Sequence, residues 1–168
     1  MFVRPAGIQD AEAIALVHVR TWRIAYAELV PAAYLANITL ERRAPRWREI
    51  LSSDTGDRTL VAEDSGNLIG FATYGANQDG LDPEIGELLA LYVDPDAWDR
   101  GAGSALLAQA TENLLDTGFA GAILWTLTAN HRTRRFYERR GWKHDGTKKP
   151  HASGAEVVRY RRHLALPG

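Results

Sequence analysis

The apolar and polar positions of this chain switch between two periods. Behind Ile8 and Asp10, the positions Ala13, Ile14, Val17 and Thr21 recur at helical spacing, which predicts a helix capped by Asp10 and running to about Tyr26. Pro31 interrupts that pattern. A short helical piece follows around Ala33 to Leu35, and Thr39 caps a further helix ending near Leu51, with Pro45 leaving its start open. Upstream, "FVRPA" reads as a short strand ending at Pro5. Arg58 to Glu63 and Leu68 to Tyr74 read as strands joined by "DSGN", a good hairpin connection. "ELLALYV", Glu87 to Val93, is short and apolar throughout, as a buried strand is. From Gly103 to Thr117 the helical period returns, with Leu106, Leu107, Ala110 and Leu114 on one face and Gly118 as the closing glycine. "GAILWTLT" is another buried strand, and "NHRTRRFYERRG" is a short helix ending at Gly141. "WKHDGTK" and "EVVRYRRHL" are two last strands, antiparallel to each other. The order is a strand, two or three helices, three strands, a helix, a strand, a helix and two strands. This is a mixed α/β pattern without repeat or linker, read as a single domain over residues 1–168.

Composition removes several kinds of chemistry. The chain is 45% hydrophobic, enough to build a core without covalent staples. It has no cysteine, which excludes disulfides, thiolate metal sites and thiol nucleophiles and points to a reducing cytoplasm. The first residues carry no apolar stretch behind basic ones, so no signal peptide is expected. No window approaches the ~20 apolar residues of a membrane span, and no membrane partner is expected. A formal net charge of −1 offers no bulk reason to expect nucleic acid. The charge is unevenly spread, however. Asp79, Asp82, Glu84, Glu87, Asp94, Asp96 and Asp99 form an acidic segment, whereas Arg132, Arg134, Arg135, Arg139, Arg140, Lys143, Lys148 and Lys149 form a basic one. This pattern fits two solvated faces, or an anionic ligand near the basic segment.

The stretch "WDRGAGSALL" places Gly101 and Gly103 between a buried strand and an apolar helix. The first turn of a helix has unpaired N–H groups and partial positive charge, and glycines let a phosphate come close to the backbone. Two phosphate motifs do not fit. A P-loop needs Lys-Ser/Thr after its last glycine, where this chain has Ser104-Ala105, and the dinucleotide fingerprint needs a third glycine where Leu106 stands.

Further along come Asn130, the pair Phe136-Tyr137, and Gly141-Trp142. Together, "ELLALYVDPDAWDRGAGSALL" and "TLTANHRTRRFYERRGW" resemble the core of the Gcn5-related N-acetyltransferase (GNAT) superfamily. The pattern there is Gln/Arg-x-x-Gly-x-Gly/Ala, then Asn and a Phe-Tyr pair before Gly-Phe or Gly-Trp. "VRPAGIQDAEAIALVHVRTW" is similar to the opening strand and helix of that family. The resemblance covers most of the chain and is most specific from Glu87 to Trp142. The chain departs from it at one position: Trp98 stands where the family has Gln or Arg.

The resemblance implies a GNAT-like fold, with a central, mostly antiparallel twisted sheet of about six or seven strands flanked by helices on both faces. It implies transfer of an acetyl group from acetyl-CoA to a primary amine of a small molecule or peptide, by direct attack in a ternary complex and without a metal. A non-catalytic protein of the same fold that binds or senses acyl-CoA is the alternative. By the same resemblance, the cofactor pyrophosphate would lie on the N–H groups of Arg100, Gly101, Ala102, Gly103 and Ser104. The backbone of Leu91, Tyr92 and Val93 would pair with its pantetheine arm, and an N–H there would meet the thioester carbonyl. Asn130 would cap the following helix or bond the arm. Arg132, Arg134 and Arg135 would meet the 3′-phosphate or the adenosine end.

Tyr137 would be the general acid for the leaving thiolate, and Glu87 the base for an amine with a pKa of ~10.4. His18 and His131 are weaker candidates for the base. Trp22, Tyr26 and Tyr34 would wall the acceptor site, although Trp22 also fits a core position. A homodimer is a further expectation of the resemblance, with "VVRYRRHL" as the strand to serve it.

Overall fold

The computed structural model describes residues 1–164, so residues 165–168 of the expected domain lie outside the described residues. The elements run β1 (Phe2–Pro5), α1 (Ala11–Ala25), α2 (Ala32–Ala36), α3 (Leu40–Ser52), β2 (Arg58–Asp64), β3 (Asn67–Ala76), β4 (Ile85–Val93), α4 (Ala102–Asp116), β5 (Gly121–Leu127), α5 (His131–Glu138), β6 (Lys143–Pro150) and β7 (Glu156–His163). The seven strands form one sheet in the order β1-β2-β3-β4-β5-β7-β6. All neighbours are antiparallel except β4 and β5, which are parallel, with α4 as the crossover between them.

Side-chain alternation along the strands divides the core between the two faces of the sheet. On β2, Leu60 and Ala62 turn to the face covered by α4 and α5, where they join Leu106, Leu107, Leu114 and Tyr137. Val61 between them turns to the other face and packs, with Phe71, against Ile14 and Val17 of α1 and Trp47 of α3. The expected mixed fold with helices on both faces is the one observed.

Local chemistry explains the turns. The β2–β3 hairpin closes through Ser65 (φ 51°) and Gly66 (φ 81°), with Asp64 opposite Asn67. Two positive φ angles in a two-residue loop match the right-handed twist of the flanking strands. Gly118 (φ 101°) follows the end of α4 and donates its N–H to Leu115.

Asp10 behaves differently from the expectation. Its carboxylate does not cap α1. It accepts the N–H of Gly7 at 2.8 Å and both ends of the Arg4 guanidinium at 2.8 and 2.9 Å. A buried carboxylate gains more from a bidentate cation than from one orphan N–H, so Asp10 ties β1 to the start of α1. Thr39 does precede α3, but its side chain makes no capping bond, and Pro45 lies inside the helix. β7 has β5 on one side and β6 on the other, so it is an interior strand of the sheet. The strand expected to serve a dimer is thus not at a sheet edge, and β1 and β6 are the edge strands.

Candidate active site

The site begins at an irregularity in β4. Tyr74 of β3 pairs with Leu88, and Thr73 pairs with Ala90, so Leu89 is an extra residue with no partner on β3. Such a bulge bends its strand and sharpens the local twist. On the other side, β4 and β5 pair only from Ile85↔Gly121 to Leu88↔Leu124. Beyond Leu88 the two parallel strands separate. Leu89 to Val93 are left with unpaired backbone on that side, and a cleft of about 1110 Å³ opens between the strands. "ELLALYV" is thus buried at its start and only half-buried at its end.

The glycine turn lies at one end of this cleft. Gly101 has φ 91°, which an L side chain rarely adopts, and the first intrahelical bond of α4 runs from Ala105 N–H to the Gly101 carbonyl. The N–H groups of Ala102, Gly103 and Ser104 therefore have no acceptor within the helix, and these residues line the cleft. Arg100 does not. Its guanidinium pairs with Asp64 at 3.0 Å, on the β2–β3 hairpin.

Trp98 has a defined place. Its indole N–H donates to the Val93 carbonyl at 2.8 Å, so it clamps the end of β4 to the turn. The Arg132 guanidinium lies 4.0 Å over the Trp98 ring and also bonds Asp99. Of the three arginines expected near the cofactor's far end, only Arg132 lines the cleft. Arg134 is committed to the Tyr160 hydroxyl at 2.9 Å and the Thr128 carbonyl at 3.0 Å. Two unassigned arginines do line it. Arg140 stacks 3.9 Å from the Phe136 ring and bonds Ser104 Oγ, which puts a cation at the glycine turn, and Arg139 lies beside it. The run "ERRG" offered a signal for Arg140, but only the packing of α5 against α4 brings it to Ser104.

Asn130 caps α5, its Oδ1 accepting the Thr133 N–H at 3.2 Å, and it lines the cleft. Tyr137 lines the cleft from α5, and its hydroxyl makes no hydrogen bond among the described residues. Burial, with Tyr92 nearby, raises its pKa above the ordinary value, so it keeps its proton.

Glu87 lines the same cleft and is only 6% exposed. It is not at the surface, because β4 is a central strand. One carboxylate oxygen accepts the Gln78 N–H at 2.8 Å, and the other has no partner among the described residues. Burial, then the charges of Asp79 and Asp57, raise its pKa, whereas the Gln78 bond and Lys149 act in the opposite direction. His18 does not line the cleft. Burial and the Arg43 charge lower its pKa to about 3, and its Nδ1 accepts the Trp47 indole N–H at 3.2 Å. His131 is exposed and does not line the cleft.

At the other end of the cleft, Trp22 and Tyr26 form a wall, their rings 4.5 Å apart. The Trp22 indole N–H is buried and has no acceptor among the described residues. Tyr34 stands behind Trp22, 5.8 Å from its ring, and does not line the cleft. His151, from the β6–β7 turn, adds a ring 5.7 Å from Trp22. The acidic and basic segments meet here too. Asp79 accepts from Arg159, Lys149 and the Trp125 indole.

Residues 21–142 match the model of the acetyltransferase (GNAT) family. A Bacillus subtilis protein named as the uncharacterized N-acetyltransferase YuaI is 36% identical over 132 residues, which is 76% of this chain and 72% of that one. An Archaeoglobus fulgidus protein, also named an uncharacterized N-acetyltransferase, is 30% identical over 82% of this chain and 89% of its own length. Among solved structures, the PaiA N-acetyltransferase of Thermoplasma acidophilum in complex with coenzyme A has the same fold. Its TM-score is 0.74 at 22% identity, with 94% of this chain and 96% of that one covered. The chain belongs to the GNAT acetyltransferase family, and acetyltransfer is the activity at the level of that family.

Proposed function

We propose that the protein transfers an acetyl group from acetyl-CoA to a primary amine by direct attack, with both substrates in the one cleft. The observation that carries this reading is the separation of β4 from β5 after Leu88. It leaves a free strand edge that leads from the buried Glu87 to the open helix start at Gly101. The residues present fit a CoA ester. Three N–H groups and Arg140 face a diphosphate, and the unpaired backbone of Leu91 to Val93 suits an amide-bearing arm. Acetyl-CoA supplies an activated acyl thioester. The complex of PaiA with coenzyme A supports this choice by analogy.

The chain's own residues supply binding and proton transfer. Glu87 takes a proton from the incoming ammonium, directly or through one water, and its raised pKa brings it nearer to working pH. A backbone N–H of the free edge holds the carbonyl oxygen as charge develops on it. Tyr137 holds a proton at its hydroxyl for the departing sulfur. Trp22 and Tyr26 wall the acceptor end.

The test is calorimetric titration with acetyl-CoA, with desulfo-CoA and ATP as controls, followed by an amine screen that reads CoA release. Micromolar binding of both CoA compounds, weak ATP binding and turnover with an amine are expected. No binding of either CoA compound overturns the reading.

A further inference from the structure

A second cavity, of about 570 Å³, lies between α3 and the strands β3 and β4. Gln78, Leu89 and Ala90 line both this cavity and the main cleft. Trp47 and Thr73 form its walls, and Asp57 lies on it. Arg46 and Glu49 at its rim pair with each other and cancel in charge. The Asp57 side chain makes no hydrogen bond or ion pair among the described residues; only its carbonyl is engaged, by Arg58.

The position of Asp57 is specific. A Cβ on Gly75 would collide with Asp57 Oδ1, so this carboxylate fills the place where a side chain of residue 75 would be. Gly75 is the cross-strand partner of Glu87. Side chains directly opposite on antiparallel strands start about 5 Å apart on the same face. The Asp57 carboxylate therefore stands beside the Glu87 side chain, which is nine-tenths buried and has one oxygen unpartnered. Like charges in this arrangement repel, and Lys149 near Glu87 and Arg58 near Asp57 offset this only in part. The arrangement becomes favourable when a ligand brings positive charge.

We infer that the acceptor is a linear diamine or longer polyamine, whose reacting nitrogen lies at Glu87 and whose second ammonium enters the α3 cavity to meet Asp57. The inference rests on the acceptor end assigned above. The Trp47 indole also lines this cavity. A monoamine leaves Asp57 unmatched, and an amino acid sets a carboxylate against it.

Near neutral pH, the protein is titrated calorimetrically with putrescine, cadaverine, butylamine and γ-aminobutyrate, with and without saturating CoA. One diamine binds about tenfold tighter than butylamine, the size of one charge-assisted contact, and γ-aminobutyrate binds weakest. In Asp57→Asn, an isosteric change, the diamine falls to the butylamine level, while CoA affinity and the unfolding midpoint stay as in the wild type. Equal affinities for diamine and monoamine in the wild type, no diamine binding, or a preference that survives Asp57→Asn each overturn the inference. Failure of CoA to bind overturns the acetyltransfer reading instead, and the CoA-free titrations still decide the diamine question.

Discussion

Trp98 and Val93 are joined by a 2.8 Å hydrogen bond from indole N–H to main-chain carbonyl, across the turn between β4 and the glycines. Thr21 Oγ1 also donates to this carbonyl, at 3.2 Å. The bond fixes where the free edge of β4 ends relative to the N-terminus of α4. Trp98→Phe keeps the ring beneath Arg132 and removes the donor. It is expected to cost about 1 kcal/mol of stability in denaturant unfolding and to weaken acetyl-CoA binding in calorimetry. Unchanged affinity together with unchanged stability would mean that the bond does not order the turn.

The two glycines of the turn differ in what they tolerate. Gly101 is at φ 91°, so Gly101→Ala forces a left-handed alanine and costs about 1 kcal/mol. A Cβ on Gly103 meets Phe136 at 3.5 Å and Val93 at 3.6 Å, ordinary contact distances. Gly103→Ala is therefore neutral in stability, or stabilising by about 0.5 kcal/mol through the lower entropy of the unfolded chain. Thermal unfolding of the two variants side by side checks the order.

Glu87→Gln separates chemistry from stability. Turnover is expected to fall by about 10²-fold or more, and the acidic limb of the kcat/KM profile to disappear. Stability should move the other way. Burial raises the folded-state pKa of Glu87, so the folded protein binds more protons than the unfolded chain between the ordinary carboxyl pKa of 4.5 and the raised value. Wild-type stability therefore declines as pH rises through that window, and the burial penalty is complete above it. The glutamine variant lacks this penalty and should be at least as stable as the wild type near neutral pH. A variant of normal turnover would remove Glu87 from the mechanism.

Tyr137→Phe removes a hydroxyl with no protein partner among the described residues, so it leaves no group unsatisfied and should barely change stability. Turnover is expected to fall about 10²-fold, with acetyl-CoA affinity nearly intact. Equal losses in turnover and in cofactor affinity would indicate a packing role.

Much of the architecture was legible in the sequence. The helical repeat Leu106, Leu107, Ala110 and Leu114, the "DSGN" hairpin and the closing Gly118 all appear as read, because they depend on neighbours within a few residues. Glu87 and Tyr137, singled out through the pattern shared with GNAT acetyltransferases, both line the cleft. Asp10 misled because its partner Arg4 is on another element. The Arg134 side chain was expected near the cofactor, but it does not line the cleft, and the Tyr160 hydroxyl and the Thr128 carbonyl hold it.

The sequence alone determined the order of elements, the glycine turn and the residue types available for chemistry, since period, capping and turn preference act over short distances. Tertiary structure decided the rest. The bulge at Leu89 that parts β4 from β5 shows only when both neighbouring strands are in register. Arg140 reaches Ser104 only when α5 packs on α4. Asp57 occupies the place beside Gly75, the cross-strand partner of Glu87, only because Gly75 has no side chain in the way. Each of these depends on contact between residues far apart in the chain, and a local pattern carries no record of such contacts.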